Sequence, residues 1–464
     1  MPRSGPPTAQ QASLERVRLD CSLSPQRVLA ALRHETLPFA LTGSWAGGGA
    51  IVGAGPLAVA AGDPFTTLDE LPTVGGVRQG QEHAVGGGWF GWLGYRLAGL
   101  VEQVPFGPVR PVAMPDHHLA YYDHVLRLDP SGGWWFEALV TPGRAGALGE
   151  RLRRLQGLLA QARLTEGLGR RPAPPPLTLP APAAAAHLTA VSRCRRRIHD
   201  GEIFQANICL RLGSTWEGRA GELLSTALET VSPAYGAAFD TPHGGVASLS
   251  PELFLRRRGD AVATAPIKGT VERSADPVRA AATRAWLQRS AKDAAEHVMI
   301  VDLMRNDLGR VCQYGSVRAP REPTVEPHPG LWHLVSRVQG RLRPGVGNGE
   351  LLRATFPPGS VTGAPKVQAL RVISELEGTG REVYTGAIGY ASPVAGLELN
   401  VAIRTLELAG GQLWLGAGGG IVADSDPANE LDEALAKARP IAAAIGTAVK
   451  VADPVSREHA LHAA

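Results

Sequence analysis

Lysine is scarce in this 464-residue chain. Of 47 cationic side chains only five are lysines: Lys268, Lys292, Lys366, Lys437 and Lys450. Arginine serves wherever a plain surface charge suffices, so a retained lysine points to a need for a compact amine that can lose its proton or fit a tight pocket. Cysteine is scarce too. Cys21, Cys194, Cys209 and Cys312 show no Cys-x-x-Cys spacing, which argues against a disulfide framework or a cysteine zinc site and fits a reducing cytosol. No apolar run reaches the ~20 residues of a membrane helix, and Met1 to Asp20 is polar and proline-bearing, without a signal core. The expectation is a cytoplasmic protein that neither crosses a membrane nor carries a leader. Excess charge is also missing. The formal net charge is +4, and the densest basic runs, Arg195-Arg196-Arg197 and Arg256-Arg257-Arg258, are three residues each. They read as a solvated helix face and a hairpin end, not as a nucleic-acid footprint. What is present, 44% hydrophobic and 19% charged residues, belongs to a globular chain with a sizeable core.

Six prolines and an alanine run between Leu168 and Ala186 predict a stiff surface connection, dividing residues 1–167 from a denser region, 187–451, with a tail at 452–464. After it, Val191 to His199 reads as a helix stopped by Asp200-Gly201. Ile203 to Leu212 alternates as a strand, with Gln205, Asn207 and Arg211 on a polar face that either meets solvent or lines a pocket. Ser248 to Leu255 and Ala261 to Ile267 predict two strands around a Gly259-Asp260 turn, which brings Glu252 roughly opposite Lys268. A second hairpin around Gly410-Gly411 joins Leu397–Leu408 to Gln412–Gly416 and places Arg404 beside Ala417 and Gly418. Antiparallel hairpins mixed with helices predict an α+β sandwich.

Two predicted helices carry paired acids at i,i+3: Asp293 and Glu296 within Lys292–Leu308, and Glu430 and Glu433, a turn before Lys437, within Glu430–Ile445. Each pair is either a solvated face or one side of a shared site. Four carboxylates without histidine or cysteine ligands suit a hard cation such as Mg²⁺, which prefers carboxylates, water and an anionic substrate group. The run Gly418-Gly419-Gly420 follows a strand and can offer backbone amides to an anion, although it lacks the third glycine of a dinucleotide fingerprint. Arg404 beside it could clamp a carboxylate at two points. Together these describe a pocket for a small dianion. Lys268, near a cation and an arginine, is pushed toward its neutral, nucleophilic form, with Glu252 as proton shuttle. The alternative is an ordinary Lys268–Glu252 salt bridge.

These segments resemble the chorismate-utilising enzymes, which comprise anthranilate, aminodeoxychorismate, isochorismate and salicylate synthases. The matching stretches, in family order, are SLSPELF (Ser248–Phe254), PIKGT (Pro266–Thr270), Lys292–Val311, HLVS (His333–Ser336), FPPGSVTGAPK (Phe356–Lys366), GAIGY (Gly386–Tyr390), NVAIRTL (Asn400–Leu406) and Gly416–Ala438. The segment Gly88–Tyr95 also resembles N-terminal signatures of the aminating members. The resemblance implies a large intertwined αββα sandwich of two mostly antiparallel sheets with flanking helices, as in anthranilate synthase component I. It implies Glu296 and Glu433 as Mg²⁺ ligands, with Asp293 and Glu430 holding the metal's waters and the ion bound to the ring carboxylate of chorismate. Tyr390, Arg404 and the amides of Gly418, Gly419 and Gly420, with Lys437 nearby, match the site of the enolpyruvyl carboxylate. Thr270, Thr362 and His333 match residues around the reacting ring.

Within the family, isochorismate and salicylate synthases use a water-activating lysine where this chain has Gln205. Anthranilate synthases typically have alanine where this chain has Lys268, and the lysine form resembles aminodeoxychorismate synthases, transferases that feed p-aminobenzoate and folate synthesis. There the lysine attacks C2 of chorismate with loss of the 4-hydroxyl, ammonia then attacks C4, and a glutamate matching Glu252 serves as acid and base. None of the four cysteines sits in a glutaminase context, so the resemblance implies a separate glutamine amidotransferase as ammonia donor. The runner-up is anthranilate synthase component I. A tryptophan pocket of some members, matched by Ser232–Tyr235 and weakly by Leu41–Ser44, leaves feedback open.

Overall fold

A computed structural model describes residues 11–75, 80–107, 109–110, 112–164, 172–274, 276–328 and 331–452, without the side chains of 270, 272, 291, 292 and 328. Among them, two large sheets of 14 and 8 strands and a smaller one of three account for the strands. Pairing is antiparallel except where Gln11–Arg18 meets Thr73–Val74 and Leu177–Leu179 meets Val449–Val451. Three layers of core make this an α+β sandwich of the αββα type. Phe39, Phe90, Trp92, Phe239 and Val246 fill the space between the sheets. Leu210, Leu415, Ala434, Leu435 and Ala438 join the larger sheet to the helix Pro427–Ala444, and Leu255, Leu399, Val301 and Met304 join the smaller sheet to the helix Ala291–Gly309. The alternation in Gln205–Thr215 explains the first two layers, since Ile208, Leu210 and Leu212 go to one face and Gln205 and Asn207 to the other. Gln205 and Asn207 are buried, so this polar face lines the interior and not the solvent.

The expected connection at 168–186 is only partly a connection. Residues 168–171 lie outside the described residues, but Leu177–Leu179 is a strand and Ala181–His199 is one continuous helix. Leu177 and Leu179 alternate around Thr178 and are fully buried, and burial of such a pair overrides the proline-rich composition. Nor does the segment separate two folding units. Tyr235–Thr241 pairs with Phe39–Gly43, and Ala387–Ser392 pairs with Gly88–Leu93, so both large sheets interleave strands from before and after it. Of the expected tail, Ala452 bonds Leu179 through its N–H, and 453–464 lie outside the described residues.

Two expected strands are each divided between sheets. Ser248–Leu255 breaks into Gly244–Ser250, in the larger sheet, and Leu253–Arg258, in the smaller. Pro251 between them has no N–H to continue a ladder. Leu397–Leu408 breaks likewise into Gly396–Val401 and Thr405–Ala409, at Arg404, whose φ of 51° is unusual for a side-chain-bearing residue. The crossovers run side by side. Val401 N–H donates to Glu252 O at 3.0 Å, Leu249 N–H to Arg404 O at 2.9 Å, and the Ser250 hydroxyl to Val401 O at 2.6 Å. Glu252 and Arg404 are thereby delivered to one place between the sheets.

Candidate active site

The hairpin about Gly259-Asp260 forms as expected, with Arg258 opposite Ala261, and the chain then enters the strand Ile267–Glu272. Gly269, at φ 67°, lets that strand bulge beside Lys268. Glu252 is 3% exposed. Burial pushes its carboxyl up to about 7, against hydrogen bonds from Ser360 and the Ile267 backbone and the charges of Lys268 and Arg404. Burial likewise holds the Lys268 amine below its ordinary value, opposed chiefly by Glu296. Arg404 is also lowered by burial, with Glu252 as the opposing charge. A lysine with a lowered pKa next to a carboxyl near neutrality has the chemistry that a nucleophile with an acid–base partner would need.

The glycine strand Gln412–Ile421 forms the floor. A β-carbon at 420 would stand 2.4 Å from Gln205 Nε2 and 3.1 Å from Lys268 Nζ, and one at 419 would stand 3.0 Å from Glu430 Oε2 and 3.7 Å from Glu433 Oε1. A side chain at either position would press on groups of this pocket, Gln205 and Lys268 at one face and Glu430 and Glu433 at the other. In the ladder to Gln205–Thr215, Asn207 is opposite Gly420 and Cys209 opposite Gly418. The Asn207 N–H goes to Thr362 O and the Cys209 N–H to Glu377 Oε1, both at 2.7 Å and both away from the glycines. Opposed residues of an antiparallel pair either bond each other or both point outward. Gly418 and Gly420 therefore turn their backbone groups outward, toward the edge where pairing with Thr405–Ala409 ends at Leu406 opposite Leu415. Lys437 Nζ donating to Gly418 O at 3.0 Å agrees with that parity. Gly419, opposite Ile208, spends its amide in the ladder, so the expected row of three available amides becomes two.

The four acids approach as two pairs. Asp293 accepts the Ser290 hydroxyl, and its Oδ1 lies 3.2 Å from a β-carbon position at Gly269. The charge of Glu296 acts on the Lys268 amine. Glu430 accepts from Ser425 at 2.6 Å, and Glu433 pairs with Lys437 at 2.7 Å. Among the described residues no three His, Cys, Asp or Glu side chains close into a metal cage. An all-oxygen, incomplete donor set nonetheless fits Mg²⁺, which keeps waters and completes its shell with substrate oxygens.

Other expected residues fall differently. Gln205 is completely buried, and neither amide atom has a hydrogen-bond partner among the described residues. His333, 1% exposed, stands opposite Thr270 in the ladder, and the side chain of Thr270 lies outside the described residues. Thr362 is buried with its hydroxyl turned to Gly359 O at 3.0 Å, toward its own loop. Tyr390 is not in the pocket. Its hydroxyl donates to Glu398 Oε2 at 2.9 Å and its ring packs near Trp45, because alternation on Ala387–Ser392 turns it into the inter-sheet core. The segments 41–44 and 232–235 do meet, Gly43 opposite Tyr235, and the Trp45 indole donates to Gly236 O at 2.9 Å there. Sequence reasoning missed Ser360, which bonds Glu252, and the buried His297, whose Nε2 is 2.7 Å from Ser336 Oγ. Both lie inside quoted motifs, which was the available signal. Lys366 is retained for structure: its amine meets Asp307 at 2.5 Å, Thr355 O at 2.9 Å and Pro357 O at 3.1 Å. A cavity of about 1790 Å³ lies at the other end of the glycine strand, lined by Trp89, His118, Trp216 and Leu408 among others, and contains none of the expected residues.

A family model described as chorismate binding enzyme matches residues 45–443. The chain belongs to this family. A relative from Klebsiella aerogenes, "Aminodeoxychorismate synthase component 1", is 44% identical over 240 residues, 52% of this chain and 53% of its own, so that match spans about half of the relative. The Salmonella typhimurium protein of the same name is 36% identical over 76% of this chain and 75% of its own. "Anthranilate synthase component 1" of Streptomyces coelicolor is 35% identical over 77% and 73%. Among solved structures, anthranilate synthase component I from Streptococcus pneumoniae superimposes with a TM-score of 0.73 at 28% identity, covering 92% of this chain and 99% of that one. The chain is thus an α+β enzyme of the chorismate-binding family, related to anthranilate synthase component I and to proteins named aminodeoxychorismate synthase. No helix among its described residues is long and apolar enough to cross a membrane.

Proposed function

We propose that this chorismate-binding enzyme aminates chorismate at C4, giving 4-amino-4-deoxychorismate for p-aminobenzoate synthesis, with ammonia from a glutamine amidotransferase partner. The observation that carries the reading is the Lys268 amine, held low in pKa by burial against the opposing charges of Glu296 and Glu252, and close over Gly420. The neutral amine attacks C2; the two ring double bonds shift and the C4–O bond breaks, with Glu252 delivering the proton that releases water. Ammonia then bonds to C4, the double bonds return, and the C2–N bond to Lys268 breaks, the surplus proton passing back to Glu252. Chorismate and ammonia thus give the product and water, and the enolpyruvyl group stays.

Arg404 and the outward amides of Gly418 and Gly420 would hold the enolpyruvyl carboxylate, with Lys437 closing that side through its bond to Gly418 O. Glu296 and Glu433 would hold Mg²⁺ directly, with Asp293 and Glu430 on its waters; when bound, the ion neutralises and orients the ring carboxylate. Gln205 offers an amide without basicity where a lysine would activate water, and His333, Thr362 and Thr270 border the ring. The test is incubation with chorismate, Mg²⁺ and ammonium, with and without aminodeoxychorismate lyase. p-Aminobenzoate that appears only with the lyase supports the reading. Fluorescent anthranilate without the lyase replaces it with anthranilate synthase activity.

A further inference from the structure

His297 follows Glu296 on the helix Ala291–Gly309, so its side chain leaves the helix about 100° around from the acid's. It meets Ser336 at 2.7 Å, and both residues are nearly inaccessible, at 1% and 2% exposure. Ser336 directly follows Val335, which pairs with Ile267, and its own N–H reaches Pro266 O at 3.4 Å. One side-chain hydrogen bond therefore closes a short circuit, from Glu296 through His297 and Ser336 to the residues just before Lys268. A buried hydroxyl–imidazole bond of this length fixes both rotamers, since breaking it strands a polar group away from water. We propose that the His297–Ser336 bond is a positioning device that sets the spacing between the acid helix and the Lys268 amine. Neither residue touches the reacting atoms, and both act through the elements they join.

The inference rests on reading this pocket as the chorismate site, because spacing matters only if a ring whose carboxylate is held from the helix must meet the groups around Lys268. A displacement on the order of 1 Å costs about 10²-fold in rate when binding groups are intact. Chorismate consumption with ammonium and Mg²⁺ is the measurement for Ser336→Ala, His297→Ala, the double variant and Ser336→Thr. Each alanine variant should lower kcat about 10- to 100-fold while KM for chorismate changes less than about threefold. The double variant should be no worse than the poorer single, because one bond is removed once. Ser336→Thr keeps the hydroxyl and should restore kcat. A Ser336→Ala kcat within about threefold of wild type, or losses that multiply in the double variant, would overturn the proposal. If the alanine variants do not fold, Ser336→Cys carries the test: it keeps the volume with a weaker donor, and an unchanged kcat counts against the tether. Anthranilate as the wild-type product would sink the C4 reading alone, since chorismate consumption reports the tether with either product.

Discussion

Two carboxylates between the sheets, Glu398 and Glu252, are almost equally buried, at 1% and 3% exposure, yet their surroundings differ in kind. Glu398 is saturated. Its Oε2 accepts Ala46 N–H and the Tyr390 hydroxyl, both at 2.9 Å, and its Oε1 takes the Arg256 guanidinium at two points, 2.9 and 2.5 Å. Nearby, Arg127 gives its guanidinium N–H groups to backbone carbonyls, among them Ala46, Gly48 and Ala50, and Trp45 is locked against Tyr235. In the pocket of Glu252, Gln205 has no partner for either amide atom among the described residues, and Glu252 itself sits near neutrality. Burial of charge is common to both places. Unspent hydrogen-bonding capacity is what the proposed substrate pocket would need.

Lys268→Ala is the sharpest way to break the comparison. Aminodeoxychorismate formation, measured with coupled lyase, should fall on the order of 10³-fold or more, with the unfolding midpoint little changed. At the saturated pole the effects reverse. Trp45→Ala should cost about 3–5 kcal/mol in urea unfolding, while kcat of the folded fraction stays close to wild type.

Glu252 also predicts a pH signature. Its pKa is raised from 4.5 to about 7 in the folded chain, so the folded state binds the extra proton and the protonated form favours folding. Wild type should therefore lose stability relative to Glu252→Gln as pH rises from about 4.5 to about 7, and the gap should be flat outside that window. Parallel unfolding curves across the window would contradict the assignment. The smallest effect belongs to Lys437, whose pair with Glu433 is about half exposed on both sides. Lys437→Met should change stability by under about 1 kcal/mol, and its effect should be seen in KM for chorismate.

Much of this was legible in the sequence. Period-two alternation exposed the polar face of Gln205–Thr215, and the Gly259-Asp260 turn brought Glu252 and Lys268 together. Alternation has no way to say which sheet a strand belongs to, so the breaks at Pro251 and Arg404 leave no mark on a pattern that runs through them. The same limit applies to the glycine run. Which of Gly418, Gly419 and Gly420 keeps its amide depends on register against Ile208 and Cys209, a partner far away in the chain. Resemblance puts Tyr390 at the enolpyruvyl site, whereas its neighbours on Ala387–Ser392 turn it into the core. Leu177 and Leu179 were hidden by the prolines around them.

The interleaving of early and late strands also dictates how this chain can be made. Gly88–Leu93 has His117–Tyr122 on one side, but its other neighbour is Ala387–Ser392, almost three hundred residues further along. During synthesis from the N-terminus, an edge that ends in the centre of a sheet stays open until nearly the whole chain has left the ribosome. Such long-range closure makes folding slow and leaves apolar edges exposed to other chains meanwhile. Truncation at the proline-rich segment should accordingly yield two insoluble halves, with no independent catalytic fragment.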